Sequence, residues 1–131
     1  MKIAIIGAGN LGLSIATGIL HSGGATSMYL TRRHLDALKE FEAYENVTVS
    51  KDNRKAVAES DVLIFAVQPV HFASILDSVQ DLLHENHVLI STITGFSLAS
   101  MEAIVGSKRY LIRAMPNTAI SVGRSMTCLC S

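Results

Sequence analysis

The sequence predicts a doubly wound α/β domain, with a mainly parallel sheet, helices on both faces and a single domain. Three observations carry this. Short branched runs alternate along the chain with helical stretches of about ten residues, the pattern of βαβ crossovers. The most strand-like run, Val62–Val67 (VLIFAV), holds no charged or polar residue, as a strand covered on both faces requires. The chain has 131 residues, 49% apolar and 17% charged, which fits one domain and is too hydrophobic for disorder.

Each element has its own signal. Lys2–Ile6 (KIAII) is a buried first strand that Gly7 ends. Leu11, Ile15, Ile19 and Leu20 give helical spacing over Asn10–Ser22, with Gly23 and Gly24 as the stop. Ser27–Thr31 is the second strand. Leu35, Leu38, Phe41 and Glu42 lie on a helix that frays by Asn46, and Val47–Ser50 is a short third strand. Asp52 is an N-cap for a brief helix through Glu59. Val62–Val67 is the central fourth strand. Pro69 opens a helix, where its fixed φ and missing N–H cost nothing. Phe72, Ile75, Leu76, Val79, Leu82 and Leu83 are that helix's core face. Val88–Thr92 is strand five, Ser97–Val105 a short helix ended by Gly106, and Tyr110–Ala114 strand six. Met115-Pro116-Asn117-Thr118 is a turn, and Met126–Cys130 reads as a last short strand.

Composition removes several function classes. Lys plus Arg equals Asp plus Glu at 11 each, so no net basic field invites nucleic acid or anionic lipid. The two cysteines, Cys128 and Cys130, form neither a disulfide framework nor a zinc site, and the cytoplasm fits best. The apolar run from Lys2 to Leu20 imitates a signal peptide, but Gly7, Gly9, Asn10, Gly12 and Gly18 interrupt it. No other stretch reaches the roughly 18 apolar residues of a membrane span. The histidines (His21, His34, His71, His84, His87) lack the spacing of a metal site, and most read as exposed; His71 lies near the turn after strand four. Gly106-Ser107-Lys108 lacks the second glycine and hydroxyl residue of a phosphate loop, and no nucleophile elbow is present.

In doubly wound sheets, ligands bind beyond the carboxyl ends of the strands, where strand order reverses. The residues there are Gly7–Gly12, Thr31–Arg33, Asn53, Ala66–Pro69, Thr94-Gly95 and Met115–Thr118. The first of these, Gly7-Ala8-Gly9-Asn10-Leu11-Gly12, reads G-x-G-x-x-G between a strand and a helix, the context of a Rossmann-type dinucleotide turn. Gly7 permits the tight turn, Gly9 lets the backbone approach a pyrophosphate, and Gly12 allows close helix packing. The helix N-terminus offers unpaired N–H groups and about half a positive charge to the phosphates. An NAD site places Asp or Glu at the end of strand two, about 20 residues on. Here Thr31-Arg32-Arg33 follow, and the next carboxylate is Asp36. A hydroxyl and two guanidinium groups suit a 2′-phosphate, so NADP(H) is preferred and NAD(H) is possible.

The chain resembles the N-terminal NAD(P)-binding domain of the pyrroline-5-carboxylate reductase family. The resemblance rests on Ile6–Gly12, Asp52-Asn53, Ser60-Asp61-Val62, Ala66-Val67-Gln68-Pro69, Thr94-Gly95, Met115–Thr118, Val122-Gly123 and Met126-Thr127, in the family's order. It implies hydride transfer from NAD(P)H to the C=N carbon of pyrroline-5-carboxylate, giving L-proline. It makes the turn formed by Ile6, Gly7, Gly9, Asn10, Leu11 and Gly12 the pyrophosphate site. Thr31, Arg32 and Arg33 then lie near the adenosine 2′ position, and Asn53 contacts the adenosine portion. Ala66, Val67, Gln68 and Pro69 line the ribose and nicotinamide side, Thr94 and Gly95 lie under the nicotinamide, and Met115, Asn117 and Thr118 face the substrate. Gln68 stands where the family usually has Lys, Ala119 where it has Pro, and Arg124-Ser125 where Glu-Gly is common. The family continues into a helical domain that interlocks subunits into homo-oligomers and supplies much of the substrate pocket. Residues 1–131 alone are therefore expected to bind NADP(H) with little turnover. Two alternatives stay open: another NADP(H) reductase of this fold (imine, 3-hydroxyacid or deazaflavin-dependent), and a non-catalytic nucleotide-binding module.

Overall fold

The computed structural model describes residues 1–23, 25–106, 109–115 and 128–130. Its strands are β1 (Lys2–Ile6), β2 (Ser27–Thr31), β3 (Val47–Ser50), β4 (Val62–Phe65), β5 (Val88–Ser91), β6 (Tyr110–Met115) and β7 (Cys128–Cys130). They form one sheet in the order β3-β2-β1-β4-β5-β6-β7. The first six are parallel, and β7 runs antiparallel on β6. The chain winds outward from β1 to β3, then returns to β4 on the other side of β1. The switch point therefore lies between β1 and β4, where Ile6 pairs with Phe65.

The helices are α1 (Asn10–Ser22), α2 (Asn53–Ala58), α3 (Pro69–Val79) and α4 (Leu98–Val105). Strand periodicity of two sorts the core into two layers. Ala4 and Ile6 of β1, with Leu63 and Phe65 of β4, pack against Val57, Phe72, Leu76 and Met101. Ile3 and Ile5, with Ile64, pack on the opposite face against Ile15, Ala16, Leu38 and Phe41. Burying each of the larger side chains, the alanines aside, contributes about 1.5–3 kcal/mol, so both faces are closed by the hydrophobic effect rather than by polar contacts.

Several boundaries differ from the sequence expectation. The Leu35–Ala43 segment, expected as a helix of unstated type, is a 3-10 helix. Leu35, Leu38 and Phe41 recur every three residues, the period at which side chains of a 3-10 helix eclipse on one face. β4 stops at Phe65, although the Ala66 N–H still donates to the Ile6 carbonyl, and β5 stops at Ser91. α3 ends at Val79, and the chain continues as a 3-10 turn, Gln80–Leu82. The caps follow the sequence: Asp52 accepts from the Lys55 N–H at 3.1 Å, Ser97 from the Ser100 N–H at 3.1 Å, and Gly23 takes a left-handed φ of 70°.

Candidate nucleotide site

The carboxyl ends of β1, β2, β4 and β5 bring four segments to one edge. At the first, the backbone leaves β1 through Gly7 with φ +80°. A Cβ there would overlap the Val67 side chain and lie 3.0 Å from Val67 Cα, so only glycine fits. The Gly7 and Ala8 N–H groups donate to the Thr31 carbonyl at 3.1 and 2.7 Å, which ties the turn to the end of β2. At Gly12, a Cβ would sit 3.3 Å from both the Gly7 oxygen and Ile5 Cγ2, so glycine sets the approach of α1 to the sheet.

Gly9 is different. Its φ of −77° and ψ of −161° are ordinary extended backbone, and a Cβ would meet nothing within 4 Å. No contact among the described residues requires glycine here. The free space above Gly9 borders the start of α1, whose N-cap makes no side-chain hydrogen bond. The first bond of the helix is Leu13 N–H to the Gly9 carbonyl, at 2.8 Å. The N–H groups of Asn10, Leu11 and Gly12 find no acceptor among the described residues. Open space over a glycine and three unpaired donors at a helix N-terminus fit a phosphate group. Ile6 is fully buried, so its side chain serves the core and only its backbone reaches the edge, whereas Leu11 is half-buried.

The end of β2 divides three residues that the sequence treats as one group. Thr31 is 1% exposed and turns inward, where its hydroxyl accepts from the Gly7 N–H at 3.2 Å. It braces the glycine turn rather than presenting a free hydroxyl. Arg32 is half-buried; its backbone donates to the Ser50 carbonyl at 3.2 Å, and its Nη1 donates to the Ala8 carbonyl at 3.2 Å. Arg33 is exposed. Asn53 is half-buried at the first position of α2.

The other wall follows β4. The Ala66 N–H donates to the Ile6 carbonyl at 2.9 Å, and Val67 packs beneath Gly7. Gln68 and Pro69 are exposed at the start of α3, and Pro69 occupies the position that needs no donor. After β5, Thr92 donates to the Phe65 carbonyl from its N–H at 3.1 Å and from its hydroxyl at 2.8 Å. Thr94 and Gly95 are exposed beyond it, with Gly95 at φ +81°. Met115 ends β6, while Asn117 and Thr118 lie outside the described residues. The structure thus brings Gly7–Gly12, Arg32, Arg33, Ala66–Pro69, Thr94 and Gly95 to one edge. Thr92 and Phe96, which no motif singled out, flank the Thr94-Gly95 turn at this edge, Thr92 through its two bonds to Phe65 and Phe96 through packing on the core.

His87 departs from the expectation of exposed histidines, being 1% exposed. Its Nε2 faces the Ser60 and Val57 carbonyls at 2.8 and 3.2 Å, and its Nδ1 accepts from the His84 N–H at 3.1 Å. Two acceptors at Nε2 and a donor at Nδ1 specify the neutral ring with its proton on Nε2. Burial pushes its pKa below the ordinary histidine value, and the neighbouring His84 adds to this against the pull of the two carbonyls. This group sits at the amino ends of β4 and β5, away from the glycine turn. A surface groove of about 300 Å³ lined by Leu98, Glu102, Arg109 and Tyr110–Ile112 runs along α4 and the first half of β6, also away from it.

Known proteins share this sequence pattern and this fold. Over 98% of its length the chain is 37% identical to pyrroline-5-carboxylate reductase 2 of Dictyostelium discoideum, covering 44% of that protein. It is 31% identical over 97% of its length to the pyrroline-5-carboxylate reductase of Staphylococcus haemolyticus, covering 48% of it. A pyrroline-5-carboxylate reductase structure from Coxiella burnetii superposes with a TM-score of 0.88 at 31% identity, over 97% of this chain and 48% of that one. The Plasmodium falciparum pyrroline carboxylate reductase, solved with NADP bound, superposes at a TM-score of 0.86 and 23% identity, over 100% of this chain and 48% of that one, and shares the fold. The resemblance read from the motifs is borne out, and the chain spans less than half the length of these relatives. Residues 2–95 match the family described as NADP oxidoreductase, coenzyme F420-dependent, and the chain belongs to that family.

Proposed function

We propose that this chain is the coenzyme-binding domain of a pyrroline-5-carboxylate reductase, seating NADP(H) for hydride transfer to the C=N bond that becomes L-proline. The observation that carries the reading is Gly9: a glycine with ordinary dihedrals, open space above it and, beside it, three helix N–H groups that find no acceptor among the described residues. The relatives' names supply the substrate. When bound, NADPH supplies the hydride. The α1 N-terminus holds the pyrophosphate, Arg32 and Arg33 answer the 2′-phosphate, and Asn53 borders the adenosine. Ala66–Pro69 and Thr94-Gly95 line the nicotinamide side, with Met115, Asn117 and Thr118 toward the substrate. No carboxylate stands between Thr31 and Asp36 to favour a free ribose 2′-hydroxyl, so NADPH is preferred over NADH.

We further propose that residues 1–131 act as one domain, and that the other wall of the pocket and the subunit contacts come from the part of the relatives that this chain does not span. Imine reduction depends on orienting donor against acceptor in a dry site, so one wall gives binding without turnover. No helix among the described residues is long and apolar enough to cross a membrane, and a cytoplasmic setting suits the two-cysteine composition. Calorimetric titration tests the coenzyme reading: NADPH binds more tightly than NADH, and proline formation is at least about a hundredfold below that of a two-domain reductase. Absence of binding by both coenzymes removes the reading.

A further inference from the structure

We propose that Phe96 is a positioning residue for the nicotinamide half of the coenzyme, its ring setting where the Thr94–Gly95 turn sits at the site edge. The inference rests on the coenzyme reading above.

Six residues, 92–97, join β5 to α4. The start of this loop is pinned by the two Thr92 bonds to the Phe65 carbonyl and by the Ile93 N–H on Ser91 Oγ at 3.2 Å. Its end is pinned by Ser97, which accepts from the Ser100 N–H at 3.1 Å on its hydroxyl and from the Met101 N–H at 3.1 Å on its carbonyl. Between these points Thr94, Gly95 and Phe96 make no hydrogen bond to any described residue. Among the described residues, packing by Phe96 is what remains to fix the tip.

The ring of Phe96 meets Phe72 edge to face, with centroids 4.7 Å apart and planes at 68°. Phe72 in turn meets Phe65 at 5.4 Å and 51°. Phe65 and Phe72 are fully buried and Phe96 is half-buried, at the rim of the same core layer. Phe65 is the residue before Ala66–Pro69, Phe72 lies at the start of α3, and Phe96 follows Gly95. Three rings therefore join the three backbone segments that make the nicotinamide wall. Gly95 adopts φ +81° with no described atom within 4 Å of a would-be Cβ, so among the described residues no side chain other than the Phe96 ring anchors the tip, and removing the ring is expected to let it shift. Such a shift misplaces the nicotinamide side while leaving the glycine turn and the two arginines untouched.

The test compares NADPH with 2′-phospho-ADP-ribose, which lacks the nicotinamide, on the wild-type chain and on Phe96→Ala and Phe96→Leu. Phe96→Ala is expected to bind the nicotinamide-free ligand within about twofold of wild type and NADPH about three- to tenfold more weakly, the range of one aromatic pair. It also loses most of the change in reduced-nicotinamide fluorescence on binding. Phe96→Leu keeps the volume without the ring edge and falls between; it carries the comparison if Phe96→Ala fails to fold. Equal weakening of both ligands marks a merely structural ring and overturns the proposal, as does unchanged NADPH affinity and fluorescence. Wild-type chain that binds neither ligand overturns the coenzyme reading itself, a result seen before any variant is made.

Discussion

At the scale of single residues, the end of β2 separates three roles. Thr31 spends its hydroxyl on Gly7, Arg32 spends one guanidinium nitrogen on Ala8, and Arg33 is exposed with its charge available. Arg32 has further donors in its planar fork, so it is able to hold the turn and meet a phosphate together. Arg33→Ala is expected to weaken NADPH about tenfold, the scale of one charged hydrogen bond, and to leave NADH unchanged. Arg32→Ala weakens both coenzymes, because the turn loses its donor as well as a cation. The double change Arg32→Asp with Arg33→Ala weakens NADPH more than NADH. Titration of each variant with both coenzymes reads this, and equal losses throughout would remove the arginines from the 2′-phosphate.

Across the strand–turn–helix element, Gly7 and Gly12 are held to glycine by contacts within the chain, and Gly9 is the one that the proposed pyrophosphate site uses. Gly7→Ala forces a side chain into positive φ against Val67 and is expected to cost at least about 1–3 kcal/mol of stability. Gly9→Val meets neither strain nor contact, so the melting temperature stays near wild type while binding of both coenzymes is lost. Thermal unfolding alongside titration separates the two. A Gly9→Val chain that still binds NADPH normally would empty the argument from open space. The same element shows why its signal was legible: a strand run, a glycine turn and a 3.6-residue period sit within about twenty residues, so local rules suffice. For the Leu35–Ala43 segment the sequence indicates a helix but not its type, because three apolar residues at spacing three suit a 3-10 helix as well as an α-helix.

For the whole molecule, the sheet order places the switch point between β1 and β4 and the His87 anchor at the opposite end. His87 joins the α2–β4 connection to the entry of β5 through Ser60, Val57 and His84. Its folded pKa lies below the unfolded value of about 6.5, so the unfolded chain binds more protons near that pH. The stability contributed by the neutral ring is full above about pH 6.5 and is lost as pH falls toward the folded pKa. Urea unfolding between pH 8 and pH 5 is expected to show a midpoint that drops with acid, with a shallower drop in His87→Gln. An equal drop in the variant would place the titrating group elsewhere.

The order of strands and helices, the two-layer core and the glycine turn were determined by the sequence alone, because they follow from periods of two and 3.6 and from the dihedral freedom of glycine. The missing acid after β2 was equally a matter of sequence. Only the tertiary structure decided that Thr31 braces the turn, that Arg32 reaches Ala8, that Phe96 rests on Phe72, and that His87 is buried. Each of these contacts joins residues about 24 to 30 positions apart. Partners at that distance meet through strand pairing and helix packing, and no local pattern records which side chain will find which.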